Sequence, residues 1–334
     1  MEKTRVAIVG LGSVAQMVHL PNLMKIKNAE ISAIAEINKS RLAFIADKFN
    51  IKKRYTNHSE LLNDDKTDAV IISTPTHLHK QIAIDCLNAG KDVLVEKPLA
   101  RTSSEGLEVV ECAKKNNRKL MVGMNLRYRP DSMLIRSLID AGEIGDPYYI
   151  KCGWIRKQSS SEKWFTKREE AGGGVILDLG INLIDLALWL ADYPKALSVS
   201  TKNYFHNSRN IEDTSVSFIR CENSLTISIE ASWNMAEEKD SFFTNIYGTK
   251  GSIGVNPFKL FKLLGVEQID LGSTFIESAT EAFKKSYLNE LKSFIGAIRG
   301  LNPVFSSGEE ALQLLKIAET MYISANKDQE IKIS

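Results

Sequence analysis

The stretch RVAIVGLGSVAQ, Arg5 to Gln16, decides the fold of this chain. Val6, Ala7, Ile8 and Val9 form a short continuous apolar run, the mark of a strand buried on both faces. Gly10, Gly12 and Ala15 follow at once as G-x-G-x-x-A, with Leu11, Ser13 and Val14 between them. Gly10 permits a sharp exit from the strand, Gly12 lets the backbone approach a pyrophosphate, and Ala15 keeps the next helix close to the sheet. The free amides of that helix start, Ser13, Val14 and Ala15, and its positive dipole end suit phosphate groups. A glycine pattern alone is weak, but here it closes a strand and opens a helix.

Working outward, the pattern alternates between strand and helix. The first helix runs toward Leu20 and meets Pro21, which should kink or end it. Ile31 to Glu36 reads as the second strand, and Glu36 stands about 20 positions after the glycines, where an acidic side chain accepts hydrogen bonds from the adenosine ribose. Its charge repels a 2'-phosphate, and the next four residues, Ile37, Asn38, Lys39 and Ser40, include no arginine. NAD is therefore favoured over NADP, with Lys39 tempering the preference. Asn38 caps a helix carrying Leu42, Ile45, Ala46 and Phe49 on one face. Ala69 to Ile72 is an apolar strand that delivers Ser73, Thr74 and Pro75 at its C-terminal end, where doubly wound sheets bind ligands. A helix from Leu78 to Ala89 stops at Gly90, and the strand Asp92 to Val95 ends in Glu96-Lys97-Pro98. Thr102-x-x-Glu105 is a capping box, and Leu120 to Val122 is a further strand. Residues 1–122 thus predict an α/β domain, a parallel, doubly wound Rossmann sheet.

With 334 residues and a prior of about 150 per domain, two domains are expected. A net charge of +2 with 25% charged residues contains no basic block for nucleic acid or an anionic membrane, so the partner is a small molecule. Cys86, Cys112, Cys152 and Cys221 are scattered, which indicates no zinc site and suits buried thiols in a reducing compartment. The first strand begins too near Met1 for a signal peptide, and the apolar run Val175 to Leu190 is interrupted and shorter than the ~20 residues of a span. A cytoplasmic protein follows.

Beyond residue 122 the architecture changes. Pro130 opens a helix through Ala141. Runs near 148–156, 196–205, 213–220, 225–234, 242–247 and 252–256 then read as consecutive strands with short turns such as Cys221-Glu222-Asn223-Ser224, hence a large, mostly antiparallel sheet. Leu225, Ile227 and Ile229 alternate with Thr226, Ser228 and Glu230, which gives one covered and one polar face. Helices at about 280–299 and 308–326 carry Phe283, Tyr287, Leu291, Phe294 and Ile298, then Leu312, Leu315, Ala318 and Tyr322, and read as core. Residues 123–334 form the expected α+β domain.

Within it, Gly172-Gly173-Gly174 leads into a helix apolar almost all round, with Asp178, Asn182 and Asp185 at i, i+4 and i+7 on one face. The stripe is either solvated or a substrate wall; it is narrow and lacks lysine or glutamate, and buried polar groups need partners that sugar hydroxyls would supply. Trp154, Trp164, Phe165 and Lys167 lie upstream, as an aromatic face for a sugar ring or as packing plugs.

The glycine turn, Thr74-Pro75-x-x-x-His79, Glu96-Lys97-Pro98 and Gly123-x-Asn125-x-Arg127-Tyr128-x-Pro130, in this order and spacing, resemble the glucose-fructose oxidoreductase and inositol dehydrogenase family, Gfo/Idh/MocA. The resemblance covers nearly the whole chain. It implies an NAD-dependent oxidoreductase that moves hydride to or from a hydroxyl-bearing carbon of a sugar, polyol or related substrate. It implies that Lys97 reaches the reacting oxygen, that Glu96 lies near the nicotinamide ribose, and that Ser73, Thr74, Pro75, His79 and Asn125 face the cofactor. Lys97, Arg127, Asp178, Asn182 and Asp185 then line the substrate. The family motif G-G-G-x-x-x-D-x-G-x-H is matched except that Asn182 replaces the histidine. An amide has no group that titrates near neutrality, so Asn182 orients a hydroxyl and Lys97 becomes the group that moves its proton. The resemblance also implies a homodimer or homotetramer. The competing expectations are an NAD-using hydrolase, lyase or epimerase with transient oxidation, or a dinucleotide-binding protein with little turnover.

Overall fold

The computed structural model describes residues 2–63, 66–156, 167–206, 210–236, 238–256, 258–264, 267–270 and 278–333. They form two compact units, the first comprising 1–125 with 287–313 and the second 126–286 with 314–334.

The first unit is built on β1 (Thr4–Val9), β2 (Ala29–Ala35), β3 (Arg54–Tyr55), β4 (Ala69–Ile72), β5 (Asp92–Glu96) and β6 (Leu120–Gly123). All pair in parallel, in the order β3-β2-β1-β4-β5-β6. The order reverses between β1 and β4, so their C-terminal ends open the crevice where such sheets hold ligands. Val6, Ala7, Ile8, Val70, Ile71, Val93 and Leu94 are fully buried, as strands covered on both faces require. Asn38 caps the helix Lys39–Lys48, its Oδ1 accepting the Arg41 amide at 3.0 Å. Thr102 caps the helix Ser103–Lys115 in the same way, accepting the Glu105 amide at 3.2 Å. The Glu105 carboxylate turns to the amide and guanidinium of Arg101.

Two local features differ from the sequence pattern. The first helix does not stop at Pro21 but continues over Leu20–Leu23, because a π turn at Ala15–His19 precedes it and shifts the hydrogen bonding to i−5, Leu20 N–H to Ala15 O. Strand β3, only two residues long, is too short to leave a periodic signal. The chain also returns after a long excursion: Ser306 O accepts the Val122 amide at 2.9 Å and Ser306 Oγ donates to Val122 O at 2.7 Å, so residues 287–313 cover the β6 edge.

The second unit carries β7 (Pro147–Ile155), β8 (Ala196–Tyr204), β9 (Thr214–Cys221), β10 (Thr226–Ser232), β11 (Ser241–Gly248), β12 (Gly251–Val255), β13 (Lys259–Leu264), β14 (Glu267–Asp270) and β15 (Ile331–Lys332). The sheet runs β14-β13-β12-β11-β7-β10-β9-β8-β15 and is antiparallel except for the central pair β7 and β10. Asn223 and Ser224, both with positive φ (57° and 61°), make the tight turn from β9 to β10. Ile227 and Ile229 are buried as the alternation predicts, and Ser228 is buried as well because its hydroxyl meets Tyr149 Oη at 2.8 Å.

The helix Ile181–Leu190 packs against β7 and β10. Across 168–190 the helical stretch has the length and mean hydropathy, 1.6, of a membrane span, yet 89% of the apolar window is buried within the protein. A helix apolar on every side is here the core of a sheet domain. The thiols of Cys86, Cys152 and Cys221 are free and buried, and that of Cys112 is free and half-buried.

Candidate active site

The crevice end of the first sheet is shaped by close backbone contact. Gly10 has φ +88°, and a Cβ there would lie 2.7 Å from Ser73 O, so only glycine fits. Ser73 Oγ donates to Gly10 O at 2.8 Å and ties β4 to the turn. Gly12 differs: a Cβ on it meets nothing within 4 Å. Packing does not require that glycine, whereas close approach of a pyrophosphate does. Ser13 is exposed, Val14 half-buried and Ala15 fully buried against the sheet.

Glu36 is 7% exposed just beyond β2. Its Oε2 accepts the Leu11 amide at 2.9 Å, and its Oε1 accepts the Asn38 amide at 2.9 Å. Arg41 Nη1 stands 3.4 Å from Oε2, one residue past the four whose lack of arginine favoured NAD. A carboxylate offers about four acceptor positions, so these contacts leave room for a ribose hydroxyl. Leu11 and Asn38 thus hold Glu36 against the turn, and Arg41 is neutralised by it.

Glu96 and Lys97 close β5, and the Lys97–Pro98 peptide is cis. His19, fully buried, places Nε2 2.7 Å from Glu96 Oε1. Burial alone would raise the Glu96 carboxyl, but the His19 contact and the charge of Lys97 outweigh it and hold it below the usual range. His79 is buried, with Nδ1 2.8 Å from Pro98 O and Nε2 2.8 Å from Thr74 O. It joins the turn after β4 to the turn after β5. A neutral imidazole donates to one of those carbonyls at a time, and burial lowers its pKa against the pull of both. Thr74 Oγ1 is buried without a partner among the described residues, and Asn125 is buried at the start of the short helix Asn125–Tyr128. Lys97 and Pro75 are both half-buried at the same strand ends.

In the second unit the polar helix residues go to different partners. A π turn over Ile176–Gly180 opens the helix, with Ile181 N–H bonded to Ile176 O, and such turns recur at functional sites. Asp178 is half-exposed and accepts Trp233 Nε1–H on Oδ2 at 3.0 Å. Asn182 is 3% exposed; its Nδ2 donates to Asp178 O at 3.1 Å, and its Oδ1 is buried without a partner among the described residues. Asp185 is fully buried and bidentate with Arg127, at 2.8 Å from Nε and 2.5 Å from Nη2. Tyr193 Oη donates to Asp185 Oδ1 at 2.7 Å and accepts from Arg127 Nη2. Asp178 and Asn182 therefore stay together, while Asp185 and Arg127 form a buried ion pair.

Trp154 packs edge-on to Phe242 and Phe283, with ring centroids at 5.6 and 6.2 Å, in the arrangement of a packing cluster. Lys167 is exposed and paired with Glu170 at 2.7 Å. Trp164 and Phe165 lie outside the described residues. His19, Arg41, Tyr193 and Trp233 escaped the sequence reading because nothing local marks them.

A family model for an oxidoreductase family with an NAD-binding Rossmann fold matches residues 4–124, and the GFO/IDH/MocA C-terminal domain matches residues 133–254. The chain belongs to the Gfo/Idh/MocA family. It is similar to myo-inositol 2-dehydrogenase of Thermotoga maritima, 26% identical over 98% of each chain. It is 28% identical to scyllo-inositol 2-dehydrogenase (NAD(+)) of Bacillus subtilis over 93% of this chain and 91% of that one. A levoglucosan dehydrogenase solved with NADH and levoglucosan shares the fold at a TM-score of 0.90 and 23% identity, covering 99% of this chain and 100% of that one. The cofactor of this Gfo/Idh/MocA oxidoreductase is NAD, and the open approach at Gly12 with the carboxylate of Glu36 fits it.

Three outcomes follow from this geometry. NAD should bind about tenfold more tightly than NADP, about 1.4 kcal/mol, and Glu36→Ala should close the gap by freeing Arg41 for the 2'-phosphate; calorimetry with both cofactors measures it. Gly12→Val should melt like the parent, because a Cβ there meets no protein atom within 4 Å, yet bind no NAD in a fluorescence titration. Arg127→Ala should cost about 3–5 kcal/mol in urea unfolding, since it strands the buried Asp185 charge.

Proposed function

We propose that this protein is an NAD-dependent dehydrogenase that moves hydride between nicotinamide and a hydroxyl-bearing carbon of a sugar, polyol or related substrate. One observation carries the substrate class: Asn182 Oδ1 is a buried acceptor with no donor among the described residues, one helical turn after the half-exposed Asp178. An unpaired buried acceptor costs about 1–3 kcal/mol, and a substrate hydroxyl relieves that cost. The similarity to two inositol dehydrogenases supports the same class and favours net oxidation over a hydrolase, lyase or epimerase.

In this reading NAD, when bound, supplies the hydride acceptor. The amides of Ser13, Val14 and Ala15 bind its phosphates, Glu36 its adenosine ribose, and Glu96, anchored by His19, its other ribose. Ser73, Thr74, Pro75, His79 and Asn125 shape the cofactor side. Lys97 takes the hydroxyl proton as the alcohol becomes a carbonyl and returns it in the reverse direction. Asp178 and Asn182 bind and orient substrate hydroxyls; Asp185 and Arg127 support the helix from which those side chains project. Residues 1–122 serve dinucleotide binding, and 123–334 supply substrate binding and self-association. The outer face of the second sheet, with Phe218 50% and Tyr247 36% exposed, supports a homodimer or homotetramer. Free thiols suit a cytoplasmic location.

The test is NADH formation from a panel of inositols and sugars, followed by Lys97→Met. Turnover should fall about 10²- to 10⁴-fold while NAD affinity stays near that of the parent. Asn182→His should restore an acid-base group and move the pH optimum downward. A Lys97→Met enzyme with parental turnover removes Lys97 from the proton step.

A further inference from the structure

A helix leaves its first amides without partners inside itself, and those of the helix bearing Asp178 and Asn182 are buried. No side chain at its start caps them: Gly172, Gly173 and Gly174 have none, and Val175 makes no capping bond. All three amides that open it go instead to one residue far along the chain. Glu212 Oε1 accepts Gly174 N–H at 2.9 Å and Ile176 N–H at 3.1 Å, while Glu212 O accepts Val175 N–H at 3.0 Å. Tyr322 Oη donates to the same Oε1 at 2.7 Å, and the Arg168 guanidinium lies over the Tyr322 ring, 5.3 Å from its centroid.

The glycines follow from this approach. A Cβ on Gly173 would collide with the Tyr322 hydroxyl, and one on Gly174 with the Glu212 carbonyl. Glu212 is 1% exposed and its Oε2 has no partner among the described residues. Burial pushes its carboxyl above the usual range although the Tyr322 hydroxyl and the two amides pull it down. A side chain that costs this much to bury is there for what it holds.

We propose that Glu212, with Tyr322, is a positioning residue for the reaction: it seats the π turn so that Asp178 and Asn182 are presented at a fixed position. Neither residue touches the substrate in this role. Only the effect on turnover rests on the dehydrogenase reading; the effect on Asp178 does not.

Trp233, one of four tryptophans, reports on Asp178 directly, because its indole N–H is bonded to Oδ2. The experiment compares Glu212→Ala, Glu212→Gln and Tyr322→Phe with the parent. The readouts are the Trp233 indole ¹⁵N–¹H resonance, assigned through Trp233→Phe, NAD affinity, and kcat and KM on the best substrate among myo-inositol, scyllo-inositol, levoglucosan and D-glucose. Glu212→Ala should move the resonance and lower kcat about 10- to 100-fold, with NAD affinity unchanged. Glu212→Gln keeps an oxygen that accepts all three donors, so it should restore both readouts. Tyr322→Phe removes one donor without opening a cavity and should give a smaller shift and loss.

A folded Glu212→Ala protein with parental kcat, whether or not the resonance moves or the melting temperature falls, overturns the proposal. If that variant does not fold, Tyr322→Phe decides alone: parental resonance and kcat overturn the proposal, and a shift in both supports it. If the parent turns over no compound in the panel, the functional reading loses its support there. The resonance then still judges the seating of Asp178 by Glu212 and Tyr322: a shift in Tyr322→Phe supports it, and none overturns it.

Discussion

The cofactor end of the first unit depends on how closely the backbone of β1 passes that of β4. Gly10 sits at φ +88° with Ser73 against the place a side chain would occupy, and the Ser73 hydroxyl fastens the two together. Because the strands cannot separate there, the ends of β2, β4 and β5 stay in register around one turn. Glu36 is then held by the Leu11 amide, and His79 joins the turn after β4 to the turn after β5. Each of these contacts uses a backbone group that the parallel ladder leaves free at its end.

Polar groups inside the apolar helix of the second unit pose the opposite problem. Burial of a carboxylate or amide is tolerated only with partners, and three polar residues at helical spacing find three different solutions. Asp185 takes a bidentate arginine and a tyrosine hydroxyl, Asp178 takes an indole N–H and keeps part of its surface exposed, and Asn182 is left with an open acceptor. The degree of satisfaction differs along one face: Arg127 and Asp185 form a buried ion pair, while Asp178 keeps part of its surface exposed.

Histidine carries a related lesson in the first unit. His19 and His79 are both buried, and neither sits where a solvent-exchanging acid or base would. His19 lowers the cost of an ionised Glu96, and His79 braces two carbonyl groups. Both imidazoles are spent on contacts within their own unit.

The sequence by itself determined the parallel sheet, its glycine turn, the succession of strands along the chain through Val255, and the helix caps at Asn38 and Thr102. These rest on periodicity and on contacts within a few residues, which a linear pattern records. The placement of Glu36 and Lys97 at strand ends and of Asp178 and Asn182 one turn apart on a helical stretch was legible for the same reason. Tertiary structure alone decided the pairing of Arg127 with Asp185, the return of residues 287–313 to the β6 edge, the parallel contact of β7 with β10, and the capping of Gly174, Val175 and Ile176 by Glu212. In each case the partners lie tens of residues or more apart, so satisfying a buried charge or amide depends on where the chain returns.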